Sequence, residues 1–238
     1  MKGIEAKEDK VIGIIGGMGP EATVDLFLKI IQNTEATTDQ EHLRLLIDSN
    51  GKIPDRIEAI FNNGENPGPV MAEMARNLEK GGADLLAIAC NTAHYFYSFV
   101  EKAVNIPVLH MPKLAVEQIC NLYPETKKIG LLATTAAVKI GLYQNIIAGY
   151  GCEVIIPATD EQQARVQNSI YQIKAGLKAE PERTVKEVAE NLILAGADVI
   201  LTGCTEISMV LKEGSLSVPV IDPTIVLAKE IIALGKAK

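Results

Sequence analysis

This chain lacks a run of basic residues, a long apolar stretch and a closely spaced cysteine pair. Lysine and arginine number 23 against 30 aspartate and glutamate, a net charge of −7. That balance leaves no footprint for a nucleic-acid backbone, although a few local cations are enough to make a pocket for a small anion. The first apolar run, Val11–Ile15, follows a segment of mixed charge from Met1 to Lys10. It is far too short for a membrane span or for the core of an export signal. The four cysteines, Cys90, Cys120, Cys152 and Cys204, contain no C-x-x-C pair, so free thiols in a reducing cytoplasm are expected. Cys90 and His94 stand at helical i, i+4 spacing, but His42 and His110 are isolated and no second ligand pair accompanies them. No metal site is expected. No low-complexity segment appears either.

What is present is an alternation. Over 238 residues, 47% of them hydrophobic, short apolar runs alternate with longer segments of helical period, which predicts an α/β fold with parallel sheets. The expected strands are Val11–Ile15, Leu43–Asp48, Asp84–Ala89, Val108–His110, Ile129–Ala133, Glu153–Pro157, Asp198–Thr202 and Val218–Ile221. Helices are expected at Pro20–Thr34, with its proline early in the first turn, and at Pro69–Lys80, stopped by Gly81-Gly82. The chain also repeats itself. Gly81-Gly82-Ala83-Asp84 and the apolar run ending at Cys90 match Ala195-Gly196-Ala197-Asp198 and the run ending at Cys204, an offset of 114 residues (204 − 90). Ile106-Pro107-Val108 matches Val218-Pro219-Val220 at 112, and Ile12 to Gly16 matches Ile129 to Ala133 at 117. Three matches in one order predict a duplication: two pseudo-symmetric lobes, each a parallel sheet flanked by helices. Residues 1–107 with 218–238 would form one lobe and 108–217 the other. The cleft between them would face the carboxyl ends of the strands, where ligands bind in such folds.

Cys90 and Cys204 each fall just past an expected strand and so face that cleft. Two thiols opposed across a carbon can take a proton from one face and return one to the other, because thiol and thiolate both exist near neutral pH. Each is expected at a helix N-terminus, whose dipole favours the thiolate by about 0.3–2 kcal/mol. Acidifying the carbon itself requires donors around the substrate carboxylate; Asn91, Thr92, Thr134, Thr135 and Thr205 offer side-chain donors at strand ends. Cys120 and Cys152 have no repeat partner and are read as structural. Gly17-x-Gly19-x-x-Ala22 formally fits a dinucleotide-binding fingerprint. However, the acid it needs, Asp48, is too far on, and Pro20 interrupts it, which fits a small-anion loop or a tight turn better.

Four ordered segments, Gly16-Gly17-Met18-Gly19-Pro20, Ile53-Pro54-Asp55-Arg56, Cys90-Asn91-Thr92-Ala93-His94 and Gly203-Cys204-Thr205-Glu206, closely resemble the pyridoxal-independent aspartate/glutamate racemase family over nearly the whole chain from Val11. The resemblance implies two lobes, no cofactor, a homodimer, and a small acidic amino acid as substrate. It implies that Cys204 serves the L-enantiomer and Cys90 the D-enantiomer. Arg56 and Lys174 would hold the distal carboxylate, and Asn91 and Thr92, with Ala93 beside them, the α-carboxylate. The first and last motifs favour the aspartate branch over cell-wall glutamate racemases. Glutamate or broad-specificity racemisation, a related isomerase or decarboxylase acting on a dicarboxylic acid, and a two-lobed binding protein without chemistry are the alternatives. Two roles stay open: His94 is either a hydrogen-bonded helix residue or a support beside Cys90, and Glu206 either caps a helix or meets the substrate ammonium.

Overall fold

The computed structural model describes residues 9–237. Strands β1 (Ile12–Gly16), β2 (Leu45–Ser49), β3 (Leu85–Ile88) and β4 (Val108–Leu109) form one sheet in the order β2-β1-β3-β4. Strands β5 (Lys128–Leu132), β6 (Glu153–Ile155), β7 (Val199–Thr202) and β8 (Val220–Ile221) form a second in the order β6-β5-β7-β8. Every pairing is parallel. The first four helices are α1 (Pro20–Asn33), α2 (Arg56–Phe61), α3 (Gly68–Lys80) and α4 (Tyr97–Glu101), followed by α5 (Met111–Leu122). The rest are α6 (Thr135–Lys139), α7 (Gln144–Gly149), α8 (Asp160–Lys174), α9 (Ala179–Leu194), α10 (Thr205–Val210) and α11 (Pro223–Gly235). All eight expected strands are present with ends within two residues of expectation; the central ones, buried on both faces, read as unbroken apolar runs. No helix among the described residues is long and apolar enough to cross a membrane.

The repeat has a physical content. The Asp84 carboxylate accepts the Val11 N–H at 2.8 Å, and the Asp198 carboxylate accepts the Lys127 and Lys128 N–H groups at 2.9 Å. Each aspartate thus satisfies the donor that the neighbouring central strand leaves open at its start. In the middle of β1, a Cβ on Gly13 would lie 2.4 Å from Leu86 and within 3.2 Å of Ala83 and Leu78. In β5, a Cβ on Gly130 would meet Ile200 at 2.6 Å, Ala197 at 3.0 Å and Leu192 at 3.3 Å. Glycine at both places lets the same helix–strand corner close down on the sheet.

The lobe boundaries need correction. β4 is hydrogen-bonded to β3 and β8 to β7, so Val108–Leu109 stay with the first sheet and Val220–Ile221 with the second. The chain crosses after these edge strands, not before them. What crosses is a helix each time: Ala115, Val116 and Ile119 of α5 pack into the second lobe's core, while Leu227, Ala228 and Ile231 of α11 pack into the first lobe's.

Candidate active site

β3 and β7 end at equivalent points of the two sheets, and two residues beyond each lies a cysteine. Cys90 and Cys204 are buried and line one small cavity of about 40 Å³. Met18, Arg56, Asn91, Thr92, Thr134, Gln167, Lys174, Thr205 and Glu206 share its wall. The glycine loop after β1 contributes only Met18. Gly17 has φ +92°, its N–H donates to the Thr23 hydroxyl at 2.8 Å, and a Cβ there would lie 2.3 Å from the Asn50 backbone. It is a tight turn against the chain after β2.

Cys204 is the N-cap residue of α10, yet its thiol is pushed well above the ordinary range. Burial is the first cause, followed by the charge of Glu206 and the hydrogen bond from the Cys204 Sγ to Glu206 Oε2 at 3.1 Å, against an opposing pull from Lys174. The expectation of a helix-favoured thiolate is therefore overturned here: desolvation and a neighbouring anion outweigh the start of a six-residue helix. At Cys90 no α-helix follows directly. Thr92–Phe96 is a 3₁₀ segment with Asn91 in helical conformation before it. Glu206, whose role the sequence left open, is buried and also accepts the Thr205 hydroxyl at 3.0 Å, with Lys174 Nζ 3.8 Å from its other oxygen.

His94 supports the first cysteine from behind. The Met111 N–H donates to His94 Nε2 at 3.2 Å, so Nδ1 carries the ring proton and donates it to the Cys90 carbonyl at 2.8 Å. Burial, with a smaller contribution from His110, lowers its pKa to about 3; the ring is neutral. Ser208, at the equivalent position 114 residues on (208 − 94), reaches the Cys204 carbonyl at 3.4 Å.

Among the described residues, two hydrogen bonds bridge the lobes beside the cavity. Thr92 Oγ1 lies 3.1 Å from Thr134 Oγ1, which also accepts the Ala137 N–H at 3.0 Å and so caps α6. The Tyr143 hydroxyl donates to Asn91 Oδ1, leaving Asn91 Nδ2 buried without a partner among the described residues. Arg56 opens α2, capped by Asp55, and its guanidinium donates to the Pro54 carbonyl at 3.3 Å.

Eight of the ten expected site residues line the cavity: Cys90, Cys204, Arg56, Asn91, Thr92, Thr134, Lys174 and Thr205. Ala93 does not; its side chain is fully buried in the core of the first lobe. Nor does Thr135, whose N–H donates to Gln167 and whose hydroxyl accepts from Gln163. Cys120 and Cys152 lie half-buried against the second lobe's core. Met18, Gln167, Ile170 and Tyr171 line the cavity without having been expected as site residues, and Tyr143 reaches it through Asn91. The α8 residues were findable: stepping back from Lys174 by three, four and seven gives Tyr171, Ile170 and Gln167, one helix face.

Known proteins share this fold. An aspartate racemase from Picrophilus torridus superposes with a TM-score of 0.87 at 33% identity, over 96% of each chain. An aspartate racemase homologue from Pyrococcus horikoshii gives 0.77 at 28%, covering 95% of this chain and 99% of the other. A broad-specificity amino-acid racemase from Bacillus subtilis is 29% identical over 94% of this chain and 97% of its own. Residues 15–231 match the family described as Asp/Glu/hydantoin racemase, and this chain belongs to that family.

Proposed function

We propose that the protein interconverts L- and D-aspartate by a two-base mechanism in which Cys90 and Cys204 exchange one proton each with Cα. One observation carries this reading: both thiols, placed by duplicated strands, line the same cavity. In the D-to-L direction, the Cys90 thiolate removes the Cα proton. The electron pair is delocalised into the α-carboxylate, and the Cys204 thiol delivers its proton to the opposite face. The products are the L-enantiomer, a Cys90 thiol and a Cys204 thiolate. The reverse direction runs the same exchange backwards, from the Cys204 thiolate and Cys90 thiol that the first leaves, and returns a Cys204 thiol whose S–H is oriented by Glu206. Asn91 Nδ2 and the Thr92 hydroxyl supply donors toward the carboxylate that gains charge. Arg56 and Lys174 answer the second carboxylate.

The test is incubation with L-aspartate in heavy water, with chiral separation of the product and mass analysis at Cα. D-aspartate carrying one solvent deuterium is expected. Cys90→Ala and Cys204→Ala should each lower racemisation by roughly 10²–10⁴-fold, the share of a positioned acid–base group. Retained activity in either variant rules out the paired-thiol mechanism. Running glutamate and neutral amino acids beside aspartate fixes the preference.

A further inference from the structure

α8 turns Gln167, Ile170, Tyr171 and Lys174 toward the cavity. Lys174 answers the charge of an acidic ligand; Gln167 is fixed in a way that gives it a separate task. The Thr135 backbone N–H lies 2.9 Å from one terminal atom of the Gln167 carboxamide. A backbone N–H can only donate, so that atom is the oxygen and the amide has one permitted orientation. The other terminal atom, Nε2, is closed off from solvent and has no protein acceptor among the described residues. The Thr135 hydroxyl takes its hydrogen bond from Gln163, at 3.3 Å. A buried donor on a fixed amide, in a side chain that lines a ligand cavity, calls for an acceptor from outside the protein. Asn91 repeats the device from the first lobe, its oxygen held by Tyr143 and its Nδ2 unmet.

We propose that Gln167 is a substrate-binding residue, donating through Nε2 to a carboxylate oxygen of the acidic amino acid, and that Thr135 is its positioning residue, acting through the backbone N–H. This rests on the reading of the cleft as a site for an acidic amino acid. It also gives Thr135 a place in binding without contact to the ligand. Gln167 and Lys174 stand seven residues apart, roughly 10 Å along the helix axis, so they grip different parts of the ligand.

Gln167→Glu separates binding from structure, because it keeps an oxygen for the Thr135 N–H and replaces the ligand-facing nitrogen with a second oxygen. The KM for L-aspartate and the Kd for succinate, by calorimetry, should both rise by about tenfold or more, the worth of a hydrogen bond to a charged group. kcat should change by less than about threefold. A KM and Kd close to wild type overturn the proposal. So does a fall in kcat and melting temperature with KM unchanged, which would mark a structural role. Wild-type protein that binds succinate yet leaves the Cα hydrogen of aspartate unexchanged would break the racemase reading alone, with the succinate series still deciding Gln167. Wild-type protein that binds neither ligand overturns both.

Discussion

At Cys204, burial and a carboxylate act in the same direction, and the resting group is a thiol. The pH dependence should carry that mark. D-to-L turnover needs the Cys204 proton, and a thiol whose pKa is raised keeps it to higher pH, extending the alkaline limb of kcat/KM. Glu206→Gln removes the anion and with it part of the upward shift, so the alkaline limb should move to lower pH. A limb that stays in place in the variant would show that Glu206 does not set the state of this thiol. The position of both cysteines was legible in the sequence, because a duplicated strand end announces itself by its offset. The state of the Cys204 thiol was not. A carboxylate two residues on becomes a hydrogen-bond partner only through the local turn, and a helix start cannot be weighed against burial before the burial is known.

Individual elements were the most legible level. Central strands buried on both faces give apolar runs that the composition cannot hide, and Gly-Ala-Asp before β3 and β7 marks the corner where helix meets sheet. The face of α8 could be reached only by stepping back from Lys174, because a helix that presents glutamine and lysine to a polar cleft breaks the apolar period by which helices are read. The strand glycines make a prediction at this scale. Gly130→Ala forces its Cβ against Ile200, Ala197 and Leu192, an overpacking that should cost about 1–3 kcal/mol in urea unfolding. Gly149→Ala, in α7 with nothing within 4 Å of the new methyl, should be neutral or stabilise by up to about 1 kcal/mol. Equal effects from the two substitutions would mean that the corner yields freely and glycine is not required there.

Across the whole molecule, stability should depend on acidity through the buried imidazole. His94 has a pKa of about 3 in the fold against 6.5 in the unfolded chain. Below pH 6.5 the unfolded chain therefore takes up a proton that the native state refuses. The associated stability is complete above pH 6.5 and drains away as the pH falls toward 3. From His94 alone the loss between pH 6.5 and 5 should be roughly 1–2 kcal/mol, a window that lies above the titration of ordinary carboxylates. His110 is shifted the same way by burial and adds to the slope. Denaturant unfolding of His94→Asn over this range should be flatter than wild type; identical slopes would mean that His94 protonates in the native state. The two-lobed plan was legible from the offsets, but the crossing points were not. The edge strands β4 and β8 are two residues each, too short to declare which sheet they join.

Those crossing points make the two halves interdependent. The helix that follows the last strand of each lobe fills the hydrophobic interior of the other, so neither half-length chain contains all the parts of its own core. A primordial single-lobe polypeptide of this design would have been finished only as an arm-exchanged pair, each copy lending its terminal helix to its twin. Fusing the genes of such a pair preserves every packing contact, ties the two thiols to one chain, and leaves each free to diverge in the company it keeps.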